Sequence, residues 1–146
     1  MIRINYPEHN FRRKIEQGTE FIFDEFRRRW VKLTPEEWVR QNFLQYLVQV
    51  KKYPISLIAI EKEIVLGDLK KRFDILVYNQ DHTPWMMIEC KAMQVALSAD
   101  VLAQVLRYGI TVPADYLLIT NGTYCAGWKK ENGKLAEQSS LPDWGS

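Results

Sequence analysis

Two carboxylates and one lysine are spaced along the chain so that strand geometry can bring them together. They are Asp74, Glu89 and Lys91, and they lie in residues 71–91, where two runs rich in β-branched and aromatic residues are separated by turn formers. This composition predicts a β-hairpin. Because side chains alternate between the two faces of a strand, Glu89 and Lys91 share one face while Cys90 points to the other. An antiparallel pairing through the turn places Asp74 opposite the end of the strand that carries Glu89.

The chemistry available to such a cluster is metal-assisted hydrolysis. Two carboxylates that lie close together repel each other and are stabilised by a shared cation, and oxygen ligands suit Mg²⁺, with Mn²⁺ as an alternative. A lysine beside them can orient or deprotonate a water molecule and can balance charge on a phosphate under attack. The simpler alternative is a cross-strand salt bridge of Lys91 with Asp74 or Glu89, and the bare D…ExK pattern, taken alone, favours that alternative.

Length and composition are those of an ordinary globular chain. With 146 residues, of which 47% are hydrophobic and 26% charged, it is long enough to form one domain with a buried core. The net charge of +2 neither requires nor excludes a polyanionic partner. Cys90 and Cys125 lie in apolar runs without metal-type spacing, which predicts free buried thiols, and no apolar run is long enough for a membrane span or a signal peptide. We therefore expect a cytoplasmic protein without a membrane partner.

The first third of the chain is basic. Residues 11–24 read as two short strand-like runs around a Gln17-Gly18 turn, which predicts a hairpin ahead of the core. Three consecutive arginines follow before Trp30, namely Arg27, Arg28 and Arg29. A solvated face is the simpler interpretation, whereas arginines and lysines interleaved with aromatic residues also suit contact with a nucleic-acid backbone.

A helix is predicted over residues 34–50. Its threonine N-cap, a proline at the first helical position and Glu37 at the third form a capping-box pattern. Apolar residues recur at helical spacing on one side, and Glu36 falls near the centre of that stripe, about 40° from Arg40. Glu36 can pair with Arg40 in the first turn or reach the site of Asp74, and the spacing leaves both open. By helical phase we take Glu36, rather than the capping Glu37, as the acid that faces the interior.

The remaining segments complete an α-β-β-β-α-β order. They are a strand over 56–66, the central hairpin, a helix over 94–108, and strands over 115–120 and 123–129 joined by an Asn-Gly turn. Gln104 and Tyr108 are four residues apart and share one face of the second helix, with Arg107 beside them. The predicted fold class is α/β (α+β), a mixed central sheet flanked by helices. It forms one domain with a hairpin extension over 1–33, a core over 34–130 and a loosely held tail over 131–146.

Five motifs in this order resemble those of a known family. They are Thr34-Pro35-Glu36-Glu37-Trp38-Val39-Arg40, Tyr53-Pro54, Lys71-Arg72-Phe73-Asp74-Ile75, Ile88-Glu89-Cys90-Lys91-Ala92 and Gln104-Val105-Leu106-Arg107-Tyr108. Together with the αβββαβ order, they resemble the PD-(D/E)xK nuclease superfamily, whose fold is restriction-endonuclease-like. The resemblance is closer still to the N-terminal nuclease domain of type I restriction enzyme R proteins, and it covers residues 34–122.

The resemblance implies a Mg²⁺-dependent endonuclease that hydrolyses phosphodiester bonds in DNA. In that family an acid of the first helix, the Asp and the Glu of Glu-x-Lys imply Mg²⁺ ligation, and the lysine is catalytic. These residues are here Glu36, Asp74, Glu89 and Lys91. The backbone carbonyl of Cys90 is expected to join the metal ligands, and Glu36 to act through the metal or a bound water. The expected DNA contacts, from the second helix and the basic segment, are Gln104, Arg107, Tyr108, Arg27, Arg28 and Arg29.

The resemblance also limits what the chain is expected to do by itself. Its 146 residues contain no Gly-rich loop of the Walker type and no recognition helix, so translocation and sequence recognition are not expected from them. The expected partners are DNA and either separate translocase or specificity subunits or further copies in a homo-oligomer. The alternative function is a catalytically inactive DNA- or protein-binding module on the same fold, in which the acids survive as salt bridges.

Overall fold

Two β-sheets and two α-helices make up the structure, a computed structural model that describes residues 1–146 apart from the side chains at positions 66 and 69. The small sheet contains β2 (Arg13–Glu16), β3 (Thr19–Asp24) and β4 (Arg29–Lys32). The helices are α1 (Pro35–Gln49) and α2 (Ala99–Gly109), and a short 3₁₀ turn spans Ile55–Leu57. The strands of the large sheet are β1 (Ile2–Arg3), β5 (Ile58–Leu66), β6 (Leu69–Tyr78), β7 (Pro84–Cys90), β8 (Tyr116–Thr120), β9 (Tyr124–Glu131) and β10 (Lys134–Gln138).

The large sheet is mixed. Its strand order is β1-β9-β8-β7-β6-β5, and β10 extends it by pairing with β9. Strands β5, β6 and β7 form an antiparallel meander, whereas β7 and β8 are parallel. A parallel pair needs a crossover connection, and α2 provides it. The predicted αβββαβ order and mixed sheet are therefore confirmed, as is the hairpin of β2 and β3 ahead of them, while β1, β4 and β10 are strands that the sequence did not predict.

Helix α1 begins where its capping residues predict. Thr34 Oγ1 accepts a hydrogen bond from the backbone N–H of Glu37 at 3.1 Å, which satisfies one of the free donors of the first turn. The Glu37 carboxylate does not return to the cap as a capping box requires. In the described structure it accepts hydrogen bonds from Arg40, Arg27 and Gln41. Glu37 therefore belongs to an internal ion network rather than to the helix cap.

Helix α2 begins later than predicted. The predicted span was 94–108, whereas the helix runs over Ala99–Gly109. Ser98 determines the start, because its hydroxyl accepts a hydrogen bond from the backbone N–H of Val101 at 3.4 Å. The residues between β7 and Ser98 form turns and loop, so they carry the chain from the end of the strand to the start of the crossover helix.

The expectation of a loosely held tail is wrong. Asn132 and Gly133 both have positive φ, 50° and 74°, which is the geometry of a tight hairpin turn, and the turn returns the chain as β10 beside β9. Beyond β10, Leu141 is only 6% exposed. The indole N–H of Trp144 donates to the carbonyl of Tyr78 at 3.0 Å. The last residues are therefore packed against the body of the domain.

Both faces of the large sheet are covered, and this determines the direction of each side chain on β7. Ile88 and Cys90 belong to the apolar cluster that includes the buried face of α1. Met87 belongs to the other cluster, together with Val105 of α2. Because side chains alternate along β7, Glu89 lies on the α2 side while Cys90 lies on the α1 side. The alternation predicted for this strand is confirmed.

Candidate functional site

Asp74 lies where the pairing of β6 with β7 ends. The register of these strands runs from Ile75 opposite Ile88 toward the turn, so the last residues of β7 extend beyond the segment paired with β6. The backbone N–H of Cys90 donates instead to Asp74 Oδ2 at 2.7 Å. This hydrogen bond holds the Asp74 carboxylate at the end of β7, close enough to Glu89 for the two acids to influence each other.

Glu89 occupies surroundings that disfavour its charged form. Burial raises its pKa, the carboxylate of Asp74 raises it further, and Lys71 and Lys91 offset part of the change, so that the pKa of Glu89 is raised from 4.5 to about 7. Its Oε1 atom is buried and has no hydrogen-bond partner among the described residues. A buried oxygen of this kind costs free energy until a proton or a cation satisfies it.

The raised pKa of Glu89 predicts how stability depends on pH. The folded state keeps the proton between pH 4.5 and about 7, where the unfolded state has lost it, so the free energy of unfolding falls as pH rises through this window. A glutamine mimics the protonated acid and removes the loss. In EDTA at pH 8, Glu89→Gln should raise the free energy of unfolding by roughly 2–3 kcal/mol, and the gain should shrink toward pH 5.

Urea denaturation at the two pH values measures this difference. The matched control is Glu63→Gln, which changes an exposed acid on β5 and should alter stability little at either pH. A Glu89→Gln variant no more stable than the parent at pH 8 would show that Glu89 is not held in a charge-disfavouring site.

A narrow cavity of about 50 Å³ separates the Glu-x-Lys residues from helix α2. Glu89 and Lys91 line it from the sheet, and Gln104 and Tyr108 line it from the helix. Arg107 is exposed and lines an open cavity of about 490 Å³ on the outer side of α2, which Gln104 and Tyr108 also line. Gln104 and Tyr108 therefore lie beside Glu89 and Lys91, whereas Arg107 lines only the open cavity.

Arg40 joins Asp74 to helix α1. Its Nη1 atom lies 3.5 Å from Asp74 Oδ1, and its guanidinium donates to both carboxylate oxygens of Glu37, at 2.9 and 2.6 Å, and to Glu61 at 3.3 Å. Burial lowers the pKa of Arg40, but the hydrogen bonds and charge of Glu37, with the charges of Asp74 and Glu61, outweigh burial and raise the pKa overall. Arg40 is a permanent cation next to the candidate acid.

The choice of Glu36 as the acid that faces the interior is wrong. Glu36 is exposed, whereas Glu37 is 5% exposed. The apolar stripe identifies only one of the two buried sides of α1. The first residues of the chain cover the other side, where Gln41 donates to the buried carboxylate of Asp24 at 3.0 Å. Burial raises the pKa of Glu37, but the hydrogen bonds and charge of Arg40 outweigh it, and the pKa is lowered overall.

Arg27 is not the exposed cation that the run of three arginines predicted. Its guanidinium donates to Glu37 at 2.9 Å and to Glu61 at 3.3 Å, and its side chain is 14% exposed. Arg28 and Arg29 are exposed. Arg27 is therefore a partner in the internal ion network, and only the other two arginines remain free to meet a phosphate.

An open cavity of about 460 Å³ lies on the α1 side of the site. Asp74, Cys90 and Arg40 line it from the interior, and Trp30 and Lys32 of the small sheet line it from the outside. Glu36 and Arg29 also contribute to its wall. The cavity therefore joins Asp74 to residues of the small sheet.

Two carboxylates and a backbone carbonyl are the candidate metal ligands. Asp74 and Glu89 are close enough to influence each other at the end of β7, although Asp74 lines the open cavity on the α1 side and Glu89 lines the narrow cavity beside α2. Oxygen donors of this kind suit Mg²⁺. No group of three or more His, Cys, Asp or Glu side chains arranged for a metal occurs in the part of the chain described. The unpartnered Oε1 of Glu89 fits a bound cation. The residues present therefore fit a divalent ion held by two acidic side chains.

Three residues at the site were not singled out as functional from the sequence. Arg40 was assigned to Glu36 four residues away, but it pairs with Glu37 three residues away, and both spacings are neighbours on a helix.

Lys71 lies two residues before Phe73 and so on the α2 side, where its ammonium is 4.7 Å from the ring centroid of Tyr108. Period-two alternation could have found Lys71. Glu61 adopts a positive φ of 54° within β5, and no local sequence signal marks that irregularity.

The match to a protein family agrees with this arrangement. Residues 35–142 match the family described as Type I restriction enzyme R protein N terminus (HSDR_N). The chain belongs to this family. The matched segment of this family member contains α1, the β5–β7 meander, α2 and β8. Every residue of the candidate metal site and of the narrow cavity lies within it. The small sheet precedes the matched segment.

Comparison with solved structures and curated proteins adds little to the family assignment. The structure is similar to that of the type IIG restriction endonuclease BpuSI, with 20% sequence identity and a TM-score of 0.46, over 68% of this chain and 12% of that chain. The chain thus spans a small part of that protein's length. A comparison with curated proteins gave no match. None of the helices described is long and apolar enough to cross a membrane.

Proposed function

We propose that this chain is a metal-dependent deoxyribonuclease of the PD-(D/E)xK type, a Mg²⁺-dependent endonuclease that hydrolyses phosphodiester bonds in DNA. The observation that carries the proposal is the position of Asp74 near Glu89 at the end of β7, where Glu89 Oε1 is buried and has no hydrogen-bond partner among the described residues. Membership in a family of type I restriction enzyme R protein N termini supports the choice of a nuclease over other metal-dependent activities.

The roles of the side chains follow from their positions. Mg²⁺ or Mn²⁺, when held by Asp74, Glu89 and the Cys90 carbonyl, supplies Lewis-acid stabilisation of the charge on a phosphate. Lys91 orients the attacking water and balances the charge that develops on the phosphate. The backbone N–H of Lys91 donates to the carbonyl of Thr120 at 2.8 Å. This hydrogen bond holds the backbone of Lys91 next to the end of β8.

The flanking DNA is held by groups on both sides of the site. Gln104, Arg107 and Tyr108 of α2 contact it on one side, and the exposed Arg28 and Arg29 contact phosphates on the other. Besides DNA, the proposed partners are separate translocase or specificity subunits, or further copies in a homo-oligomer, and the proposed location is the cytoplasm.

The function is tested by incubating the purified protein with plasmid DNA and with single-stranded DNA in Mg²⁺, Mn²⁺ or EDTA. We expect cleavage in either metal and none in EDTA. Asp74→Ala should abolish cleavage in both metals, because it removes a proposed ligand. Asp68→Ala, which changes an exposed acid in the β5–β6 turn, is the matched control and should cleave like the parent. Cleavage by Asp74→Ala at the parent rate would contradict the proposed site.

A specific observation favours a second candidate, the catalytically inactive DNA- or protein-binding module. Asp74 already has Arg40 at 3.5 Å, and Glu37 is paired with both Arg40 and Arg27, so several acids are satisfied as salt bridges without a metal. This candidate predicts no cleavage under any condition and DNA binding that is the same in Mg²⁺ and in EDTA.

A further inference from the structure

The outer face of the small sheet carries cationic and aromatic side chains next to each other in two rows. The first row crosses all three strands, because Lys14 on β2 lies opposite Phe21 on β3, and Phe21 lies opposite Lys32 on β4. Residues directly opposite each other in an antiparallel pair share a face. We name this surface the aromatic-basic face, and its members are Lys14, Phe21, Lys32, Arg12, Phe23 and Trp30.

The second row repeats the pattern two residues along β3. Phe23 lies opposite Trp30, and its backbone N–H donates to the carbonyl of Arg12 at 2.8 Å, which continues the β2–β3 pairing by one residue. The rings of Phe23 and Trp30 are 5.4 Å apart in an edge-to-face arrangement. Each row therefore carries aromatic rings beside cations.

The aromatic rings present their faces, not only their edges, to the outside. The guanidinium of the exposed Arg12 lies 4.6 Å from the ring centroid of Phe23 and 5.5 Å from that of Trp30. The ammonium of Lys14 lies 4.5 Å from the centroid of Trp30 and 5.8 Å from that of Phe21. These cations lie over the ring faces, so a flat group stacks on the same faces when the flexible side chains of Arg12 and Lys14 move aside.

Core packing does not account for these rings. The opposite face of the same sheet is the buried one, because Ile22 and Asp24 are both 0% exposed and Asp24 accepts a hydrogen bond from Gln41 of α1. Phe21, Phe23 and Trp30 are only half-buried. A patch of three large aromatic side chains on the outer face of a small sheet is typical of a binding surface. We therefore expect this face to bind a ligand.

The charge of the face selects a polyanion. Lys14 forms an ion pair with Glu16 at 2.9 Å, whereas Arg12 and Lys32 take part in no ion pair among the described residues. The face also continues into the candidate active site, because Trp30 and Lys32 line the open cavity that contains Asp74. A chain bound along the two rows would cross β4 and arrive at that cavity.

We propose that the aromatic-basic face binds single-stranded DNA and delivers it to the cavity at Asp74. Unpaired bases stack on Phe21, Phe23 and Trp30, and the three cations contact phosphates, which is the combination that binds single strands without sequence preference. A duplex keeps its base faces stacked inside the helix and cannot use the rings. The inference rests on the proposed function in taking DNA, rather than RNA, as the ligand.

Binding in EDTA tests the face without involving catalysis. The parent protein should bind an oligothymidylate more tightly than a duplex of equal length. Phe21→Ala and Trp30→Ala should each weaken binding of the oligothymidylate by about 5- to 100-fold, the range for loss of one stacked base, while duplex binding changes little. Trp30→Phe keeps a ring face and should restore most of the affinity.

Two control variants separate stacking from other effects. Val65→Ala changes an exposed apolar residue, 55% exposed, on β5 of the large sheet, and Tyr124→Ala removes an aromatic residue, 47% exposed, on β9 of the same sheet. Both should bind the oligothymidylate like the parent. Thermal melting of each variant shows whether it is folded, and Phe21, which does not line the open cavity, gives a variant that leaves the site at Asp74 intact.

Each outcome bears on one proposal. Equal or tighter binding of the duplex, tighter binding of an oligouridylate, or unchanged affinity in a folded Phe21→Ala variant would overturn the single-stranded DNA face. Cleavage of duplex DNA with no oligothymidylate binding would overturn this inference and leave the nuclease function in place. Oligothymidylate binding that depends on the rings, with no cleavage in any metal, would support the face and contradict the nuclease function.

Discussion

Replacement of Lys91 by alanine should lower the rate of DNA cleavage by about 100-fold or more. That is the usual cost of removing one group that orients water or stabilises charge in the transition state. Lys91 lies beside Glu89 in the narrow cavity next to α2, and the variant leaves Asp74 and Glu89 in place. Single-turnover cleavage of plasmid DNA in Mg²⁺ measures the rate, and DNA binding in Ca²⁺ measures what remains of affinity.

Binding should change little in the Lys91→Ala variant, because only one of several cationic contacts is lost. The matched control is Lys70→Ala, which removes the same charge from an exposed position on β6 and should cleave like the parent. If Lys91→Ala cleaves at the parent rate while Asp74→Ala does not, the lysine is an electrostatic neighbour of Glu89 and takes no part in the chemistry.

The part of the site that lies on β7 could be predicted because strand periodicity is short-ranged and strict. Once residues 84–90 form a strand, Glu89 and Cys90 must lie on opposite sides of the sheet, and the structure has them there. The same kind of local signal was also missed. Asn132-Gly133 forms the hairpin turn into β10, although an Asn-Gly pair is among the strongest hairpin signals in a sequence.

The α1 side of the site could not be predicted, because it depends on contacts between distant segments. The phase of an apolar stripe identifies the face of a helix that packs on apolar partners. Glu37 has a polar partner, Arg27, ten residues earlier in the chain, and Gln41, one turn further along α1, donates to Asp24 at the end of β3. The local spacing of Glu36 and Glu37 does not show that distant segments cover this side of α1, so the choice of Glu36 was wrong.

The second large effect is expected on stability, at Arg40. Its side chain is 9% exposed and forms ion pairs with Glu37, Glu61 and Asp74. Removing one partner of a buried ion pair leaves an uncompensated charge, which typically costs about 3–5 kcal/mol. Arg40→Ala should therefore lower the free energy of unfolding by roughly that amount at pH 7, as measured by urea denaturation. Arg40→Lys should lose less, because it keeps the charge but not the two-pronged contact with Glu37.

The origin of that loss can be separated from the loss of packing. If the cost comes from the carboxylate of Glu37, which keeps Arg27 but loses its two-pronged contact with Arg40, then Arg40→Met combined with Glu37→Leu should recover much of the stability that Arg40→Met alone loses, because the buried acid and its main partner are removed together. Arg27 keeps its ion pair with Asp24 in the double variant. A double variant as unstable as the sum of its single changes would show that Arg40 stabilises the domain through Asp74 and Glu61 rather than through the helix acid.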